Sequence, residues 1–166
     1  MSVVSQARYK VRVTKDYLVF SSGHFITYAG GLCEPVHGHN YRVAVEVEGD
    51  LDGNAYVFDF ITLKDLTLEI VAELDHRMLL PTGSDLIRIE DDGPNWRARY
   101  KERWWSFPKD ECALLPVPNT TAELVANYIA TRLLADIAAQ GGPAPRVLRV
   151  ELEENFGQSA QVERAG

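Results

Sequence analysis

The chain predicts an α+β fold, with two helices packed on one face of an antiparallel sheet, and three observations lead there. Residues 40–48 (NYRVAVEVE) alternate cleanly, so that Tyr41, Val43, Val45 and Val47 share one face while Arg42, Glu46 and Glu48 face water. Residues 61–74 place Leu63, Leu66, Ile70 and Leu74 at helical spacing. A second helix is expected at about 121–139, where Thr120 and Glu123 match the Ser/Thr-x-x-Glu capping box that opens a helix.

The remaining elements follow in order. Residues 9–20 (YKVRVTKDYLVF) are apolar and β-prone, Asp50-Leu51-Asp52-Gly53-Asn54 is a turn cluster, and Val57 to Phe60 is a short extended piece. Residues 86–105 read as two strands around the turn Asp91-Asp92-Gly93-Pro94-Asn95. Gly141-Gly142-Pro143 stops the second helix, and residues 146–154 (RVLRVELEE) return as a strand. The order strand, strand, helix, hairpin, helix, strand is that of an α+β domain. No repeat, low-complexity stretch or linker divides residues 1–166, which are expected to form a single domain. Sheet edges in so small a domain invite pairing between copies of the chain.

With 46% apolar and 25% charged residues the composition is that of an ordinary globular protein. A net charge of -7 argues against a nucleic-acid or anionic-membrane surface. No apolar run approaches the ~20 residues that span a bilayer. Met1 to Lys10 is polar, without the apolar core of a signal peptide. The two cysteines, Cys33 and Cys112, are therefore expected as free thiols in a reducing cytoplasm.

The stretch Cys33-Glu34-Pro35-Val36-His37-Gly38-His39-Asn40-Tyr41, with His24 upstream, carries the chemistry. On an extended backbone residues i and i+2 point to one face, so His37 and His39 can reach one ion together. Gly38 removes the side chain that would crowd the opposite face. Three imidazoles suit Zn²⁺, which in catalytic sites takes three protein ligands and leaves a position open. Cys33 has two readings: a fourth ligand closing a structural site, or a base whose thiol a nearby dication acidifies. A cupin-type site is disfavoured, because its glutamate would fall at position 43 or 44, where the chain has Val43 and Ala44. The fourth histidine follows an aspartate, in Leu74-Asp75-His76-Arg77. The pair reads either as a proton relay or as a histidine near a helix C-terminus.

These residues resemble the 6-pyruvoyltetrahydropterin synthase / 6-carboxytetrahydropterin synthase family. The resemblance runs through Phe20-Ser21-Ser22-Gly23-His24, Cys33-x-x-x-His37-Gly38-His39-Asn40-Tyr41, Val57-Phe58-Asp59-Phe60 with Leu63-Lys64, Leu74-Asp75-His76-Arg77, Thr120-Thr121-Ala122-Glu123 and a terminal strand ending at Glu154. It implies zinc on His24, His37 and His39, a catalytic Cys33, and a catalytic Asp75–His76 pair. It also implies a pterin-anchoring glutamate at the end of a V-x-V-x-E strand. Val150, Leu152 and Glu154 fit that phase, which favours Glu154 over Glu151 or Glu153. Thr120 and Thr121 would lie near the pterin, or serve simply as a helix cap. The fold implied is the tunnelling fold, assembled as an oligomeric barrel, usually a homohexamer of two trimers with active sites between subunits.

The implied substrate is a small molecule, 7,8-dihydroneopterin triphosphate, cleaved by a zinc-dependent lyase. Two departures from the family pattern matter. A stretch at about 82–118, rich in tryptophan and arginine, reads as a hairpin insertion serving assembly or as a lid, or as a set of arginines meeting the triphosphate. Glu34 stands beside Cys33, so the motif of the carboxytetrahydropterin branch, a precursor route to queuosine, coincides with that of a branch forming 6-hydroxymethyldihydropterin for folate. A dual-activity enzyme through Glu34 is one alternative. A non-catalytic pterin-binding protein on the same scaffold is the other.

Overall fold

The computed structural model describes residues 7–141 and 144–166. The polar start of the chain before residue 7, and the Gly142-Pro143 part of the expected helix stop, lie outside the described residues. In chain order the elements are β1 (Tyr9–Val13), β2 (Val19–His24), β3 (Thr27–Tyr28), β4 (Leu32–Cys33), β5 (His37–Gly49), α1 (Phe60–Leu74), β6 (Arg77–Pro81), β7 (Arg88–Asp92), β8 (Asn95–Tyr100), β9 (Arg103–Pro108), a 3-10 turn, β10 (Cys112–Leu115), α2 (Ala122–Ala139), β11 (Val147–Asn155) and β12 (Gln158–Ala165).

The main sheet is built around β5. Its inward residues Tyr41, Val43, Val45 and Val47 are all but fully buried, as the alternation predicts. At thirteen residues, β5 takes two antiparallel partners along one edge, β2 at residues 37–42 and β1 at residues 45–49. It pairs with β11 along the other edge. The full order is β10-β6-β2-β5-β11-β12, with β1 beside β5. The sheet is not wholly antiparallel, because β6 runs parallel to both β2 and β10. A parallel neighbour needs a crossover rather than a tight turn. Here β5 and α1 lie between β2 and β6 in the chain, and the 82–111 segment lies between β6 and β10.

Both helices pack on one face of this sheet. Asp59 caps α1, its Oδ1 accepting from the Thr62 amide at 2.7 Å. Leu63, Leu66, Ile70 and Leu74 are buried against the sheet, each large aliphatic side chain stabilising the fold by about 1.5–3 kcal/mol. In α2 the buried set is Val125, Ala126, Ile129, Ala130, Leu133 and Ile137. Arg132 of α2 forks onto Glu73 of α1 at 2.7 and 2.9 Å, joining the helices at their surface.

Three expectations are corrected. The 9–20 run is two strands, β1 and β2, parted by a polar turn that closes from the Leu18 amide to the Lys15 carbonyl. The N-cap of α2 is Thr121, whose hydroxyl accepts from the Leu124 amide, so the Thr120–Glu123 capping box is out of register by one residue. The 86–105 hairpin is a three-stranded meander, β7-β8-β9, because the chain reverses again at residues 101–102 without glycine or proline. Lys101 itself takes the left-handed conformation there, φ +50°. The meander covers a second apolar cluster of Phe25, Leu80, Ile87, Ala98 and Tyr100.

Candidate metal and catalytic site

The site stands where β2 ends and β5 begins. Their register sets His24 opposite His37, Gly23 opposite Gly38 and Ser22 opposite His39, which turns all three imidazoles to one face. A Cβ on Gly38 would stand 3.1 Å from the Ser22 carbonyl oxygen, closer than side-chain carbons ordinarily sit, so glycine eases the approach of the strands here. The ligand-type nitrogens of His24, His37 and His39 lie within 4.8 Å of one another.

Hydrogen bonds decide how two of these rings point. His24 Nδ1 lies 2.8 Å from the Thr120 carbonyl, and His37 Nδ1 lies 3.0 Å from the Pro35 carbonyl. A carbonyl only accepts, so each Nδ1 donates and Nε2 is the ring atom turned to the cluster. The two Nε2 atoms face each other at 3.2 Å. Burial holds His24 below the usual imidazole range. The Thr120 carbonyl and Glu154 oppose that shift, and His37 and His39 add to it. Two ring nitrogens facing each other at this separation call for a cation or a shared proton between them. Three imidazoles converging in this way form a donor set that fits a divalent metal ion.

Glu154 and Tyr41 border the same cluster. The phase of β11 brings Glu154 to the inward face, where its Oε1 lies 3.5 Å from His24 Nε2 and 3.6 Å from His39 Nε2. The Tyr41 hydroxyl donates to that carboxylate at 3.4 Å and sits 3.2–3.3 Å from both nitrogens of His24. Burial, then the charge of Glu154, pushes the Tyr41 phenol far above its ordinary range, so it remains a donor. Glu154 also lines a cleft with Ile26, Thr121, Glu123 and Gln158.

Cys33 and Glu34 sit on the β3–β4 hairpin beside the cluster. Asn119 pins this hairpin, accepting from the Thr27 amide and donating to the Thr27 carbonyl. Glu34 Oε2 lies 3.6 Å from His37 Nδ1. Cys33 does not belong to the close set of ligand atoms, and its Sγ donates to the Glu34 carbonyl at 3.5 Å, so the closed four-ligand arrangement lacks its thiol. Burial pushes the Cys33 thiol up, Arg103 pulls it down and Glu34 adds to the rise.

Asp75 and His76 form a tight pair, Oδ2 to Nδ1 at 2.8 Å. The Ser21 amide donates to Asp75 at 2.8 Å and, with His76, holds the carboxyl below the usual carboxylate range. The His76 side chain is 83% exposed, and among the described residues no hydrogen bond or ion pair ties the pair to the three histidines. Thr120 is fully buried, its hydroxyl donating to the Phe25 carbonyl. It therefore cannot meet a heterocycle from this position, and the Thr121 end of the segment is the part that opens to the cleft. Asn119 escaped the sequence reading, Tyr41 entered it only as an inward residue of the alternating strand and its motif, and Arg103 only as one of the arginines of the 82–118 stretch. Tyr41 extends the His37–His39 alternation by one step, a signal that was present, whereas Asn119 and Arg103 act through backbone contacts that no spacing reveals.

The profile of the family described as 6-pyruvoyl tetrahydropterin synthase matches residues 12–165. The chain belongs to this family. A Methanocaldococcus jannaschii protein with the provisional name 6-carboxy-5,6,7,8-tetrahydropterin synthase is 33% identical over 144 residues, covering 86% of this chain and 88% of its own. The crystal structure of 6-pyruvoyl tetrahydropterin synthase from Plasmodium vivax superposes with a TM-score of 0.88 at 29% identity, covering 96% of this chain and 99% of that one. Two further structures are of P. vivax variants in which a glutamate named as the catalytic residue is replaced by alanine or by cysteine, with TM-scores of 0.87 and 0.88. The family and the fold thus place the chain among pterin side-chain lyases of the tetrahydropterin synthase type. None of the described helices is long and apolar enough to cross a membrane.

Proposed function

We propose that this chain is a zinc-dependent lyase acting on the side chain of 7,8-dihydroneopterin triphosphate, of the 6-carboxytetrahydropterin or 6-pyruvoyltetrahydropterin synthase type. The observation that carries this reading is the pair of Nε2 atoms turned toward each other on His24 and His37, with His39 beside them. These three residues would hold Zn²⁺, which when bound supplies the Lewis acidity that polarises hydroxyls of the substrate side chain.

The chain's own residues do the rest. Cys33 Sγ, as thiolate, removes a proton from the side chain. Asp75 fixes His76 through Nδ1, leaving Nε2 to carry a proton to or from the substrate. Glu154, steadied by Tyr41, accepts paired hydrogen bonds from the amino-pyrimidine edge of the pterin, with Thr121 beside it. Thr120 serves by holding the proton on His24 Nδ1. The exposure of His76, and its lack of a bond to the histidine cluster, support an assembly in which the pair serves a neighbouring copy's site. Among the described residues β10 and β12 end the main sheet and β1 pairs with β5 alone, which supports a barrel closed by such copies, the homohexamer of the family. Both cysteines are free, in keeping with a cytoplasmic enzyme.

A second reading rests on Glu34. Its carboxylate leans on His37, and a glutamate is the named catalytic residue of the P. vivax enzyme. Glu34 would then act as the base for a 6-hydroxymethyl product, giving a dual-activity enzyme. Product analysis after incubation with 7,8-dihydroneopterin triphosphate tests both readings. Cys33→Ala should lose the carboxy- or pyruvoyl-type product, and Glu34→Ala the hydroxymethyl product. Full activity of Cys33→Ala on every pterin substrate would remove Cys33 as the base. Tight pterin binding without triphosphate release would favour a binding protein instead. Protein purified without chelator should hold zinc stoichiometrically. If sites are shared between copies, co-refolded Cys33→Ala and His76→Ala chains, each inactive alone, should recover about a quarter of wild-type activity.

A further inference from the structure

The meander β7–β9 reaches back to the hairpin that carries the thiol. Arg103, the first residue of β9, donates from Nη2 to the Cys33 carbonyl at 2.8 Å. Its guanidinium carbon lies 5.4 Å from the ring centres of both Tyr100 and Trp105, so aromatic faces hold the charged group. Trp105 packs in turn on Phe25, the neighbour of His24, with ring centres 4.5 Å apart. The Tyr100 hydroxyl donates to the Gly31 carbonyl, and Lys101 Nζ reaches the same oxygen at 3.5 Å. The segment they hold needs outside support. It turns through three successive left-handed residues, Ala29, Gly30 and Gly31 at φ +45°, +73° and +124°, between strands of two residues each.

We propose that Arg103 is a positioning residue for Cys33: it fixes the loop that carries the thiol and keeps a positive charge on the Cys33 backbone, so that the β8–β9 turn acts on the reaction without touching substrate. This rests on the reading of Cys33 as the base. Among the described residues, the charged groups that act on the thiol are Arg103 and Glu34, of opposite sign, and Tyr100 and Cys112 are the other titratable groups of the cluster it packs in. A thiol lifted by burial needs a neighbouring cation to reach its reactive form near neutral pH. A planar fork can bond a carbonyl and stack on two rings at once, which an ammonium group cannot do.

The test uses the zinc-loaded protein in a Cys112→Ser background, where Cys33 is the only thiol. The rate of iodoacetamide alkylation is followed from pH 6 to 10 beside turnover of 7,8-dihydroneopterin triphosphate. Arg103→Gln should move the alkylation profile to higher pH, slowing the reaction at pH 8 by about three- to tenfold, and lower kcat with KM little changed. Arg103→Lys keeps the charge, so its profile should stay within about twofold of the parent while kcat falls about threefold. Trp104→Ala, on the outer face of the same strand, should change neither. An unshifted profile in Arg103→Gln, or a profile in Arg103→Lys displaced as far as in Arg103→Gln, overturns the proposal. Should Arg103→Gln fail to fold, a wild-type kcat in Arg103→Lys overturns it alone. The reading of Cys33 fails separately: a Cys33→Ser chain with normal turnover would sink it, while alkylation of the parent still reports on Arg103.

Discussion

The two halves of β5 present one face to two different tasks. Going along the strand, the inward side chains are His37, His39, Tyr41, Val43, Val45 and Val47. The valines lie in the main core with both helices over them. The histidines lie past that cover, their side chains 39% and 22% exposed, beneath the hairpin of Cys33 and Glu34 and the segment that leads into α2. The side-chain period is the same in both halves, but residues 37–41 pair with β2 alone whereas residues 45–48 lie between β1 and β11, and the covering elements differ. Tyr41 marks the crossing, its ring stacked on Phe20 at 4.8 Å and its hydroxyl among the polar groups of the site. Chemistry on this strand begins where helical cover ends, and the two functions should therefore be separable by mutation.

The sharpest test of that separation lies at the exposed end. His39→Ala should reduce turnover by on the order of 10³-fold or more and bound metal to a trace, while the thermal midpoint of metal-free protein stays unchanged. A midpoint that falls with it would show that the histidine end also carries the fold. At the buried end the expectation reverses. Val45→Ala opens a cavity in the core and should cost about 2 kcal/mol by urea denaturation, with kcat intact below the transition.

The smallest effect belongs to the cover itself. Arg132 holds the Glu73 carboxyl below its usual range through their hydrogen bonds, so this contact stabilises the fold above the ordinary carboxylate pKa and is lost as pH falls through the lowered one. Both groups are more than a third exposed, so Glu73→Gln should cost only about 0.3–1 kcal/mol at pH 7. The difference from wild type should vanish in strongly acid solution. If it persists there, the pair is not what joins the helices.

What was legible in the sequence follows the same division. The alternation in 40–48 and the spacing in 61–74 report burial directly, because a regular element repeats its environment at its own period; the exception is Glu48, expected in water but buried against Lys10 and Arg149. The histidines were legible because two of them share a strand face at i and i+2. The strands β6, β10 and β12 were not foreseen. The first two are short, and β12 lies at a sheet edge with polar residues alternating, so no apolar pattern marks it. The bonds that orient the imidazoles were hidden for a different reason: they end on the backbone carbonyls of Pro35 and Thr120, which every residue type possesses.

The Thr120 carbonyl lies one residue before the cap of α2. The starting point of that helix is therefore also an address for the innermost imidazole, although nothing in the helix is a ligand. Loop length between Leu115 and Thr121 becomes a functional quantity. One residue added or removed there would leave α2, its cap and every ligand in place in the sequence, yet deliver a different carbonyl to His24, or none. Such a chain would fold and lose its site, a loss that no survey of the ligands alone would explain.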